Sequence, residues 1–282
     1  MRLQQWIKNL FLFAALIFAG HLLDSHDVLL AVFGFFCFSF LTSSVYIFND
    51  ITDLENDKLH PVKSQRPLPS GKLSVGTGLA SSLFLAALGL VAGFLLNEEF
   101  GMTLLLYLLI NLAYSLKLKN IVILDVMTIA AGFVLRVVAG ALLIHVPTSE
   151  WLIICTVLLA LFLGFSKRRH ELTILDEQAN THRSVLAYYS PYFLDQMIGI
   201  VTASTVMSYA LYTISEETVK KFGTSHLIYT VPFVLYGIFR YLYLVHKREE
   251  GGNPSRLAVT DVPLLANILL WIVVACIIIY GR

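Results

Sequence analysis

The chain has 282 residues, enough for a single domain, and 57% of them are hydrophobic against 14% charged. A soluble domain runs nearer half apolar and a quarter charged, so this composition excludes an ordinary soluble protein. With 20 Lys and Arg against 19 Asp and Glu, the formal net charge of +1 leaves no basic footprint for nucleic acid.

Crossing a bilayer takes roughly 17–25 apolar residues. Nine such runs recur, at about 7–23, 28–49, 75–96, 100–116, 121–145, 151–167, 192–214, 226–246 and 263–281. The first follows Arg2 and Lys8 as a signal peptide would, but it lacks a small-residue cleavage site and leads into a second apolar run, so it reads as a span. Cys37, Cys155 and Cys276 all lie inside apolar runs, which argues against a disulfide framework and a thiolate metal site. The expectation is an all-α, polytopic membrane protein with nine transmembrane helices, a single transmembrane domain over 1–282. Two large polar loops, about 50–74 and 168–191, each follow the second helix of a four-helix group. That spacing suggests two four-helix units, about 1–118 and 119–246, plus a ninth helix at about 263–281.

Placing the N-terminus in the cytoplasm puts fifteen Lys and Arg on that side and Lys220, Lys221 and Arg282 opposite, with Arg136 and Arg240 inside spans. Positive charge favours the cytoplasmic side, so a multi-pass protein of the cell (inner) membrane is expected, with its N-terminus and both large loops cytoplasmic. The sequence is compatible with an oligomer.

The second span runs into Asn49-Asp50-Ile51-Thr52-Asp53-Leu54-Glu55-Asn56-Asp57. At 100° per residue, Asp50, Asp53 and Asp57 fall within about 60° of one another, and Tyr46, Ser43 and Ser39 continue that face into the membrane. Three anions on one face at a helix C-terminus repel each other and oppose the dipole, so they call for a cation. An all-oxygen donor set suits Mg2+, which bridges carboxylates to substrate phosphates. Lys58, Lys63, Arg66 and Lys72 follow, and cations beside metal-binding carboxylates make a diphosphate clamp.

Further along, the fourth span carries Tyr107, Asn111, Tyr114 and Ser115 on one face, then Lys117 and Lys119. Both lysines can be markers of orientation alone. On the fifth span Asp125, Thr128, Gly132 and Arg136 share a face, with Asp125 and Arg136 about 16 Å apart along the helix. An arginine near mid-membrane implies function, here a cavity-facing phosphate ligand, or else a structural pin bound to carbonyls. After the sixth span comes Lys167-Arg168-Arg169-His170-Glu171, read either as a cationic phosphate site or as a salt-bridged helix end.

The stretch Asn49-Asp50-x-x-Asp53-x-x-x-Asp57 in this topology resembles the first aspartate-rich motif of the UbiA superfamily, nine-helix membrane prenyltransferases with Mg2+-diphosphate substrates. Typical members carry a second aspartate-rich motif after the sixth span, and here that place holds the cationic run from Lys167 to Glu171. Gln5-Trp6-Ile7-Lys8-Asn9, His60-Pro61, Arg66-Pro67, Tyr114-Ser115 with Lys117, Leu135-Arg136 and Lys167-Arg168 with Glu171 are similar to the branch of decaprenyl-phosphate phosphoribosyltransferases. That resemblance implies transfer of 5-phosphoribose from phosphoribosyl diphosphate (PRPP) to a polyprenyl phosphate, for cell-envelope precursor synthesis. It implies Asp50, Asp53 and Asp57 as the catalytic metal ligands of Mg2+, with Asn49 assisting. Lys8, Lys63, Arg66, Tyr114, Lys117, Arg136, Lys167, Arg168 and Glu171 become the substrate-binding set. The competing readings are a prenyltransferase acting on an aromatic or glyceryl phosphate acceptor, and a membrane transporter.

Overall fold

A computed structural model of the chain describes residues 3–59, 63–175, 184–247 and 254–281. Of the residues used above, Arg2, His60-Pro61, Arg183, Arg248 and Arg282 lie outside them. The described residues are helical throughout, as apolar segments in a bilayer must be when every backbone polar group needs an internal partner. Among the described residues, eight helices are long and apolar enough to cross a membrane. The first expected span, at 7–23, is instead a 3-10 helix over Leu3–Leu12 followed by a short α-helix, α1 (Phe13–Ala19), which ends at Gly20 in left-handed backbone with φ 88.

The chain forms two compact units, Met1–Thr148 with Leu175–Tyr189, and Ser149–Ile174 with Ser190–Arg282. In the first unit α2 (Ser25–Thr52) is followed by α3 (Leu54–Leu59), α4 (Val75–Leu96), α5 (Glu98–Leu116) and α6 (Leu124–Leu143). Asp24 caps α2 by accepting the His26 and Asp27 amides at 2.9 and 3.2 Å. Helix α2 packs most extensively on α4. Gly89 permits that approach, since a Cβ there would lie 2.9 Å from the Cys37 carbonyl oxygen. Phe38, Leu41, Phe100 and Leu104 fill the core between α2 and α5 and are fully buried.

The second unit holds α7 (Glu150–Leu175), α8 (Pro191–Ile214), α9 (Glu216–Phe222), α10 (Val231–Lys247), α11 (Pro254–Thr260) and α12 (Val262–Tyr280). Helix α10 packs against α12 and α8. Polar side chains join these helices: Asn267 donates to the Phe233 carbonyl at 2.9 Å, and Trp271 to the Tyr209 hydroxyl at 2.9 Å. Arg240 meets both carboxylate oxygens of Asp261 at 3.0 and 2.8 Å. Arg240 is thus one half of an ion pair at the start of α12, where Asp261 also caps the Leu264 amide.

Candidate active site

The acidic motif does not continue as one helical face. Helix α2 stops at Thr52, Asp53 is its C-cap with φ −98 and ψ 10, and α3 restarts at Leu54. The break relieves what an unbroken helix would impose, three carboxylates stacked at the negative end of a dipole. Asp50 and Asp57 converge: one guanidinium nitrogen of Arg66 lies 3.1 Å from Asp50 Oδ1 and 2.6 Å from Asp57 Oδ2. Lys63 Nζ is 3.6 Å from the other Asp57 oxygen. Asp53 turns elsewhere and pairs with Lys119.

Arg66 and Lys63 reach the motif because residues 63–73 form a compact turn. The Arg66 amide donates to the Lys63 carbonyl at 3.0 Å, and Leu73 closes back on Pro67 at 2.9 Å. Lys119 sits in a 3-10 turn, Leu118–Asn120, between α5 and α6. Lys117 is exposed at the end of α5, and Tyr114 lies half-buried just before it. Of the two lysines, it is Lys119, and not the Lys117 that the family resemblance favours, that touches the aspartate motif.

The donor set fits a hard divalent cation. Asp50 and Asp57 are near enough to share one cationic nitrogen, and Mg2+ takes one or two carboxylates and fills its remaining positions with water and phosphate. Asn49 supplies a further oxygen: its Oδ1 is buried and accepts no hydrogen bond. The three aspartates do not meet at one point. Among the described residues, the three-residue His and carboxylate group with all ligand atoms within 4.8 Å is Asp24, His26 and Asp27, at the other end of α2.

The polar stripe along α2 faces the N-terminal 3-10 helix rather than a cavity. Trp6 Nε1 donates to Ser43 Oγ at 3.0 Å, and the fully buried Asn9 donates to Ser39 Oγ at 2.9 Å and Thr42 Oγ1 at 3.2 Å. Lys8 Nζ is 3.4 Å from the Tyr46 hydroxyl. Arg136 completes this network. Its Nε donates to Asn9 Oδ1 at 2.8 Å, one terminal nitrogen to the Gly132 carbonyl at 2.6 Å and the other to the Tyr107 hydroxyl at 3.0 Å. The rings of Phe38, Tyr107 and Phe133 surround the guanidinium at 5.2, 4.8 and 5.5 Å. The expected cavity-facing phosphate ligand is instead an enclosed pin between the N-terminal segment, α5 and α6. Asn111 bonds back to the Tyr107 carbonyl of its own helix at 2.8 Å and does not bridge helices.

In the second unit, Arg168 is buried and lies 2.6 Å from Glu171, while Lys167 lies 3.6 Å from the same carboxylate. The cationic run is thus a salt-bridged helix segment, its charges partly matched within α7. Arg169 and His246 meet Asp195 at 3.1 and 3.4 Å.

This arrangement has close relatives. The chain is 29% identical over 278 residues to a decaprenyl-phosphate phosphoribosyltransferase of Corynebacterium glutamicum, covering 96% of this chain and 83% of that one. It is 27% identical over 276 residues to the protein of that name from Mycobacterium tuberculosis, covering 96% and 90%. Among solved structures, a UbiA homolog from Archaeoglobus fulgidus bound to DMAPP and Mg2+ matches with a TM-score of 0.74 at 20% identity, over 99% of this chain and 96% of that one. At that identity the likeness is one of fold. The UbiA prenyltransferase family model matches residues 9–272, nearly the whole chain. The eight apolar helices, the broken aspartate motif and this match make the chain a multi-pass membrane transferase that belongs to the UbiA prenyltransferase family.

Proposed function

We propose that the chain is a Mg2+-dependent phosphoribosyltransferase that moves 5-phosphoribose from PRPP to a polyprenyl phosphate and releases diphosphate. The observation that carries this reading is the pairing of Asp50, Asp53 and Asp57 with Arg66, Lys63 and Lys119. Carboxylates interleaved with cations are what a metal-bridged diphosphate requires. The two relatives named decaprenyl-phosphate phosphoribosyltransferase support the sugar and the lipid acceptor.

Asp50 and Asp57 would hold the cation, directly or through water, with Asn49 Oδ1 as a further oxygen and Asp53 completing the motif. Mg2+ held there would supply charge neutralisation for a departing diphosphate. Arg66, Lys63 and Lys119 each exchange a carboxylate partner for a phosphate oxygen, so substrate enters without leaving a charge unpaired. Lys117 is an additional phosphate ligand. Lys8 and Tyr114 belong to the substrate-binding set. The acceptor phosphate is already anionic, so no general base is needed, and attack from the face opposite the diphosphate inverts C1. The fifteen-to-three distribution of cations supports a cytoplasmic location for this chemistry.

The test is direct. Purified protein with Mg2+, radiolabelled PRPP and a polyprenyl phosphate is expected to give label extractable into organic solvent. EDTA and Asp50→Ala should each abolish it. No label, with turnover of a prenyl diphosphate and an aromatic acceptor, would make the chain a prenyltransferase. Silence in both assays would favour the transporter.

A further inference from the structure

The turn between α5 and α6 holds a β-branched residue in left-handed backbone, Ile123, with φ 68 and ψ −45. Such a residue is a genuine outlier there, and the conformation persists only where its surroundings over-determine it. Two hydrogen bonds through one hydroxyl do so here. The Ile123 amide donates to the Tyr189 hydroxyl at 2.7 Å, and that hydroxyl donates to Asp125 Oδ1 at 2.7 Å. Asp125 is fully buried and Tyr189 nearly so. The Ile123 carbonyl then accepts from the Val126 and Met127 amides at 3.0 and 2.9 Å, which opens α6.

Tyr189 arrives from the short 3-10 segment Ser184–Tyr188, anchored by the fully buried Val185 and Leu186. On the other side of Ile123 the chain is equally fixed. The Asn120 and Ile121 amides donate to the Lys117 and Leu118 carbonyls, both at 3.1 Å, forming the turn that carries Lys119 to Asp53. The strained residue thus lies between a lysine on the aspartate motif and a buried tyrosine far along the sequence.

We propose that Tyr189 is a positioning residue for Lys119: its hydroxyl, bonded at once to the Ile123 amide and the Asp125 carboxylate, holds the 117–123 turn in the strained form that sets Lys119 against Asp53. Without that hydroxyl Ile123 relaxes toward ordinary backbone, and because Lys119 is only four residues upstream its ammonium leaves the aspartate motif. Tyr189 touches no substrate. The inference rests on reading the motif as a metal–diphosphate site, so its test separates the two.

The variants are Tyr189→Phe, Ile123→Gly and the double variant, with Asp125→Asn as a control that keeps the accepting oxygen. Two readouts are needed: hydrogen exchange across residues 118–126 in detergent, and calorimetric binding of Mg2+ with inorganic pyrophosphate. Tyr189→Phe is expected to speed exchange in that segment and weaken pyrophosphate binding about tenfold, the scale of one lost hydrogen bond. Ile123→Gly, which adopts positive φ without strain, is expected to restore most of the affinity in the Tyr189→Phe background. Asp125→Asn should remain near wild type. Unchanged exchange and affinity in Tyr189→Phe would overturn the proposal, as would a loss of affinity that Ile123→Gly fails to recover. Wild type that binds no pyrophosphate would overturn the metal–diphosphate reading, leaving the exchange result alone to judge the latch.

Discussion

Arg136 shows how a charge is kept inside a membrane without a carboxylate. Three directional hydrogen bonds and three aromatic faces stand in for a counter-ion, which is how an intramembrane guanidinium escapes a cost of several kcal/mol. Removing it strands the partners it leaves, Asn9 Oδ1 above all, at about 1–3 kcal/mol for each unsatisfied group. Arg136→Leu should therefore lower the thermal midpoint in detergent by the equivalent of about 3 kcal/mol. Arg136→Lys should recover little, because an ammonium cannot reproduce the planar fork. A variant with a wild-type midpoint and a raised KM for the lipid acceptor would show instead that Arg136 is a ligand. The importance of Arg136 was legible in the sequence as an ionisable residue at mid-span. Its partners were not, because Asn9 and Tyr107 lie 127 and 29 residues away. The choice of Lys119 over Lys117 was likewise hidden, since a 3-10 turn rotates side chains out of the 100° phase that sequence reasoning assumes.

Among the elements, the long apolar helices follow directly from hydropathy, and five of the nine expected spans match an apolar helix to within two residues at both ends. Two of the departures have physical causes. Helix α2 breaks at Asp53 because charges accumulate at its C-terminus, and the N-terminal segment forms a 3-10 helix in place of a regular span. That segment is tied down by backbone contact as well as by polar bonds. A Cβ on Gly140 of α6 would collide with the carbonyl oxygen of Leu12. Gly140→Ala should therefore pry the N-terminal segment from α6 and destabilise the protein by about 1–3 kcal/mol, since backbone cannot swing aside as a side chain can. A thermal melt in detergent reads this out, and an unchanged midpoint would show that the segment is loosely held.

For the whole molecule, composition sufficed for the class, because it sums over many residues and tolerates local error, and the charge asymmetry predicts an orientation. The orientation predicts distinct labelling by a membrane-impermeant maleimide. In a background lacking Cys37, Cys155 and Cys276, a cysteine at Lys117 should be modified only from the cytoplasmic side and one at Lys220 only from the other; the reverse pattern would invert the topology. The candidate site was legible as a cluster of aspartates with cations nearby. How they pair was not, because pairing depends on turns closed by backbone bonds.

The network around Asn9 also constrains how the protein is made. Asn9 leaves the ribosome 127 residues ahead of Arg136, the residue that donates to its amide oxygen, and at roughly 5–20 residues per second that is a delay on the order of ten seconds. For that interval a buried-type polar segment must wait at the membrane surface or in the insertion machinery. The segment that carries Asn9 thus takes its final seat only once α6, which brings Arg136 to it, has entered the membrane.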